Sequence, residues 1–139
     1  LITKLGGTIV YRSAGSGDVR ESIRVDGEGR FTVYLSSITS AERDRFTIAH
    51  ELGHYVLHFP MVRRKYEANA MIATRWVDED DPEQKRAEWE ANGFAAAFLM
   101  PEDSFKEQFH RNRSIPVVAN IFGVSAQAAE VRAKTLGLV

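Results

Sequence analysis

Three features of the sequence predict an α+β fold. Short alternating runs occupy residues 1–39, an amphipathic helix follows over 40–60, and the remainder has helical patterning. A chain of 139 residues suits one domain around one core, so the expectation is a single domain over 1–139. Within it, residues 82–100 form a second long helix and 115–139 a helical tail.

Leu1–Leu5 followed by Gly6-Gly7 reads as the end of a helix closed by glycine, with its start upstream of a chain that begins at Leu1 and not at Met. Thr8–Arg12 is a short strand and Ser13–Asp18 a Gly/Ser loop. Ser22–Asp26, Gly27-Glu28-Gly29 and Arg30–Ser36 form the clearest hairpin. Ile23 and Val25 alternate with polar neighbours, as do Phe31, Val33 and Leu35. The reading is a small antiparallel sheet of three strands, one face covered by the 40–59 helix, with Phe31, Val33 and Leu35 in the core.

That helix carries His50-Glu51-Leu52-Gly53-His54, an H-E-x-x-H word. Thr39-Ser40-Ala41-Glu42 fits a capping box with Thr39 as N-cap, no proline intervenes before Pro60, and Ala49, Leu52, Val56 and Phe59 make an apolar stripe. Positions i and i+4 of a helix share a face, so His50 and His54 present two imidazoles to one point, as a tetrahedral Zn²⁺ requires. Glu51 lies beside them as a base for an attacking water. Two histidines at this spacing also occur as ordinary half-buried polar residues. Their place mid-helix beside an apolar face favours the metal reading. Gly53, a poor helix former, fits a site where another backbone comes close.

After Pro60 the periodicity is lost. Arg63-Arg64-Lys65 reads as solvated surface, and 66–73 as a short helix or a loop. Asp78–Asp81 has no EF-hand pattern and reads as helix initiation, with Asp81 as N-cap and Pro82 at the first helical position. The helix from Pro82 to about Leu99 has Ala91, Phe94, Ala95, Phe98 and Leu99 on its apolar face. A shorter helix covers Glu102–Phe109. Two more fill the tail, broken at Phe122-Gly123-Val124-Ser125, with Gly123 closing one, Ser125 capping the next and Gly137 closing the last.

Composition narrows the function classes. The net charge of −1 lacks the electrostatic footprint of a nucleic-acid binder. The tail's rhythm faintly resembles a helix-turn-helix, but residues 126–139 set only Arg132 and Lys134 against Glu130, too little charge to engage phosphates. No apolar run approaches the ~20 residues of a membrane span. There is no signal-peptide pattern and no cysteine, so a cytoplasmic setting is expected and any zinc must be held by His and carboxylate.

A catalytic zinc site needs a third protein ligand and an open position. His58 lies about 12 Å along the axis from His50, so it cannot share their ion and reads as an outer partner of the ligands. His110 is available but lies in a poorly patterned region. Glu88 is the best candidate, because it sits on an independent helix and Asn92, one turn on, can hydrogen-bond a ligand histidine. Glu67 and Glu90 are its rivals. Glu90 stands roughly 200° around the helix from Glu88, so the two cannot both face one metal.

Arg45-Phe46-Thr47-Ile48-Ala49-His50-Glu51-Leu52-Gly53-His54 and Glu90-Ala91-Asn92-Gly93-Phe94-Ala95-Ala96, with Leu99-Met100-Pro101 behind, resemble the ImmA/IrrE family of metallopeptidases. The tail from Phe122 to Leu138 is similar to that family's C-terminal end, and the likeness runs from about Gly6 onward. The resemblance implies a zincin-like fold and a zinc held by the two histidines plus a downstream glutamate. In related zinc peptidases that glutamate lies four before an Asp or Asn, which here selects Glu88, with Asn92 behind it. Glu51 is then the general base. Tyr55, Tyr66 and His110 are available as a second electrophile, and the sequence does not choose among them. The resemblance further implies action on helix-turn-helix repressors, often encoded beside the protease in prophages, mobile elements or toxin–antitoxin-like pairs. The alternative is a non-proteolytic module of the same fold that sequesters a repressor or antitoxin.

Overall fold

A computed structural model describes residues 1–12, 21–26, 28–36, 40–60, 71–74 and 81–139. The fold is α+β. Among the described residues its sheet has four strands in the order β1-β3-β2-β4, namely β1 (Gly7–Arg12), β2 (Glu21–Val25), β3 (Phe31–Ser36) and β4 (Met71–Thr74). The helices among the described residues are α1 (Ala41–Gly53), α2 (Pro82–Leu99), α3 (Glu102–Asn112), α4 (Ile115–Phe122) and α5 (Ala126–Thr135), with a 3₁₀ turn at Thr3–Leu5.

The expected hairpin is present. β2 and β3 are antiparallel, with Ile23 opposite Val33 and Val25 opposite Phe31. Its turn is held by Asp26, whose Oδ1 accepts from the backbone N–H groups of Glu28 (2.9 Å) and Arg30 (3.0 Å). Gly29 supplies the left-handed conformation at φ 82°. Gly27 lies outside the described residues.

Two sheet expectations are corrected. β1 is not antiparallel to its neighbour: it pairs parallel with β3, from Gly7–Phe31 to Arg12–Ser36. Alternation tells which face a side chain takes but not which strand lies alongside. The sheet also has a fourth strand. β4 pairs antiparallel with β2 within a stretch read as helix or loop, where four residues carry too little periodicity to announce a strand.

The inner face of the hairpin makes the first core. Ile23, Val25, Phe31, Val33 and Leu35 are buried and pack against Leu52 and Phe59. The helix meets them with Ile48, Leu52, Tyr55 and Phe59, an i, i+4, i+7, i+11 row. Val56, expected in this stripe, instead faces outward at 48% exposure. Tyr55 takes its place, because its ring stacks near Phe31 at 4.3 Å between centroids and its hydroxyl donates to the Gly29 carbonyl at 2.9 Å.

The N-cap of α1 is Ser40 and not Thr39, which lies outside the described residues. Ser40 Oγ accepts from the Arg43 N–H at 3.2 Å. The serine hydroxyl makes the same bond one residue later and leaves Glu42 to complement the dipole in the first turn. From His54 to His58 the helix widens into a π turn, closed by the Phe59 N–H on the His54 carbonyl.

α2 starts as expected, with Pro82 in the first turn and Asp81 Oδ1 accepting from Glu83 (3.0 Å) and Gln84 (3.4 Å). It crosses α1 where both helices are thin. A Cβ built at Gly53 would lie 3.2 Å from the Ala91 Cα and from Phe94, and Ala91 and Ala95 are fully buried. Gly53→Val is therefore expected to destabilise the chain by about 1–3 kcal/mol through overpacking, read from the denaturant midpoint. Phe98, expected on the apolar face of α2, is 47% exposed.

The C-terminal helices surround a second core of Met100, Phe105, Phe109, Val118, Ala119, Val124, Ala129 and Ala133. Gly123 closes α4 at φ 64°, and Ser125 Oγ caps α5 by accepting from Ala128. Arg45 of α1 reaches over to donate to the Gly123 carbonyl at 3.2 Å. Among the described residues, no helix is long and apolar enough to cross a membrane.

Candidate metal centre

The close crossing of α1 and α2 brings His50, His54 and Glu88 together. One ligand atom from each lies within 4.8 Å of the others. His50 Nε2 is 3.0 Å from Glu88 Oε2, and His54 Nε2 is 2.8 Å from Glu88 Oε1. These are the two helix-borne imidazoles and the carboxylate that the spacing and the family likeness select. Gly53 makes the approach possible, since a side chain there would hold α2 away.

The donor set fits a cation. His50 Nδ1 lies 2.8 Å from the amide oxygen of Asn92, which only accepts, so Nδ1 carries the ring hydrogen. The Nε2 lone pair of a neutral His50 then faces a carboxylate oxygen. Such a contact is stable only with a positive species between the two, and a divalent ion supplies it. Two nitrogens and one carboxylate oxygen make a three-donor set that could hold a metal ion.

Without an ion, protons serve the same purpose. Burial pulls the His50 pKa down, but the Glu88 hydrogen bond and the charges of Glu51 and Glu88 outweigh it, leaving the pKa raised. Burial pushes Glu88 up, while the hydrogen bonds from His50 and His54 and their charges prevail and lower it to about 2. The sign follows. A depressed carboxylate pKa stabilises the folded chain above its ordinary value of 4.5, and that contribution disappears as pH falls through about 2. The raised His50 contributes below its ordinary 6.5, and that part is lost as pH rises through the folded value. In metal-free protein, Glu88→Gln is expected to remove on the order of 2 kcal/mol from the stability lost between pH 4.5 and 2, a figure reduced from full linkage because Glu88 is partly exposed. Urea titrations across that range measure it.

The other predicted residues fall into two groups. Glu51 is buried at 1% exposure, next to His50 in the chain. Asn92 contacts His50 as expected, and His58 contacts His54, with their Nδ1 atoms 2.9 Å apart. Burial, then the charge of His54, hold the His58 pKa down against the pull of Glu90 and Glu88. Tyr55 and His110 do not join the group. The Tyr55 hydroxyl is engaged by Gly29, and His110 is exposed on α3 with its ring edge on Phe109. Tyr66 and Glu67 lie outside the described residues. Glu90 is outside the metal group too, but it meets His58 Nε2 at 3.4 Å, a role the sequence reading missed. The i, i+4 pairing with Arg86, whose Nε–H donates to Glu90 at 2.9 Å, is legible in the sequence but does not point to His58.

An H-E-x-x-H helix packed on a small sheet, with a carboxylate from a second helix set against its histidines, defines a zincin-like protein with a candidate metal site. The chain belongs to the Peptidase_M78 family, the IrrE N-terminal-like domain, whose model matches residues 2–134. This is a family of metallopeptidases. A comparison with curated proteins gave no match.

Proposed function

We propose that this protein is a zinc-dependent metallo-endopeptidase whose substrate is a helix-turn-helix repressor or a similar regulatory protein. The observation that carries the reading is the convergence of two imidazole Nε2 atoms on the Glu88 carboxylate. His50, His54 and Glu88 would hold the ion. Bound there, zinc would lower the pKa of water and polarise a peptide carbonyl.

The chain's own residues supply the rest. Asn92 orients the His50 ring. Glu51 accepts the proton of the attacking water and later delivers it to the leaving amine. The family suggests the hydrolysis, and the regulatory substrate extends the resemblance. A cytoplasmic setting agrees with a chain that contains no cysteine. A prophage or toxin–antitoxin-like context agrees with the proposed substrate.

Zinc-loaded protein incubated with a repressor encoded beside its gene, followed by mass spectrometry, tests the proposal. Discrete fragments that vanish with chelator are expected. An intact, stable complex without cleavage would contradict proteolysis and favour sequestration.

A further inference from the structure

A line of polar contacts runs outward from His54 along the π turn. His54 Nδ1 lies 2.9 Å from His58 Nδ1, and His58 Nε2 lies 3.4 Å from Glu90 Oε2. Glu90 Oε1 in turn accepts from Arg86. The His54 and His58 side chains are 5% and 15% exposed, so water competes weakly for these atoms.

The hydrogens along this line are determined by its outer end. An ionised Glu90 only accepts, so His58 Nε2 must carry a hydrogen. A neutral His58 then has its lone pair on Nδ1. Two nitrogens 2.9 Å apart need one donor and one acceptor, so His54 Nδ1–H donates. That leaves the His54 lone pair on Nε2, the atom that faces Glu88. The opposite assignment would set a bare nitrogen of His58 against the Glu90 carboxylate.

We propose that His58 and Glu90 are positioning residues of the metal centre, holding His54 in the one tautomer whose Nε2 can ligate. The inference rests on the metal reading of His50, His54 and Glu88. α2 thus provides two carboxylates with separate tasks: Glu88 toward the ion and Glu90 toward the outer end of the relay. His50 has the same provision from Asn92 in a single step. Outer partners of this kind commonly set metal affinity.

The test is zinc affinity of the intact chain, measured by competition with a chromophoric chelator, for wild type, His58→Phe, Glu90→Ala and Glu90→Gln. Affinity is expected to fall by about 10–100-fold in His58→Phe and Glu90→Ala. Glu90→Gln, whose amide oxygen still accepts, recovers part of the loss. Nitrogen-15 NMR of the zinc-loaded wild type should find hydrogen on His54 Nδ1 and metal on Nε2, with the Nδ1–H signal losing protection in Glu90→Ala. Such a tautomer-specific change would not follow from altered packing. Glu90 is 34% exposed, so Glu90→Ala decides the matter even if His58→Phe does not fold. Variants binding zinc as tightly as wild type, or metal on Nδ1, would overturn the relay alone. A wild type that binds no zinc would remove the metal centre and the relay with it.

Discussion

Glu51→Gln is expected to retain its metal and to lower peptide hydrolysis by about 10²–10⁴-fold. Glutamine matches glutamate in size and fills the same buried position, so the two histidines and Glu88 keep their places. What it lacks is a basic carboxylate that can accept a proton and return it. Zinc stoichiometry and single-turnover cleavage, measured on one preparation, separate the two effects. Wild-type cleavage in this variant would place the base elsewhere. Loss of metal together with activity would make Glu51 a structural support of the site.

His54→Ala is expected to cut bound zinc from about one ion per chain to a small fraction of that. His54 is the most buried of the three grouped side chains, at 5% exposure, and its loss leaves one imidazole and one carboxylate. Two ligands do not complete the three-ligand set of a catalytic site. The same loss is visible in stability. At a free zinc concentration about 1,000 times the dissociation constant, wild type gains about 4 kcal/mol from binding, and the variant should gain almost none. Thermal unfolding with and without zinc measures the difference. Retained stoichiometric zinc would reject the ligand assignment.

The part of the site that depends on spacing within one helix was open to sequence reading. His50 and His54 share a face because they are four apart in α1, and Asn92 stands one helical turn from Glu88 for the same reason. The capping signals of α2 and α5 were equally legible, since Asp81 and Ser125 act on their own first turns. The relation between Glu88 and the histidines was less so. It needed an expectation that two helices cross, which Gly53 hinted at and the family likeness supplied.

What escaped depends on contacts between distant segments. The parallel pairing of β1 with β3 is a choice of neighbour that alternation does not encode. Val56 and Tyr55 are both apolar enough for the stripe. Only the Gly29 carbonyl and the Phe31 ring, brought near by the hairpin, decide that Tyr55 turns inward. The π turn at His54–His58 has no propensity signature in its residues, yet it carries the contact between the two histidines. The sequence offers Glu90 only as a competitor for the ion, because its partner His58 belongs to another helix, which must be in place before the two meet.

Zinc-edge X-ray absorption on the metal-loaded chain tests most directly whether α1 and α2 meet across one ion. The predicted spectrum has the multiple-scattering signature of two imidazoles and light-atom ligands at about 2.0–2.2 Å. In Glu88→Ala, which likewise leaves two of the three protein ligands, bound zinc and its imidazole signature should be largely lost. A wild-type spectrum with no imidazole contribution would contradict the assignment of His50 and His54 as ligands.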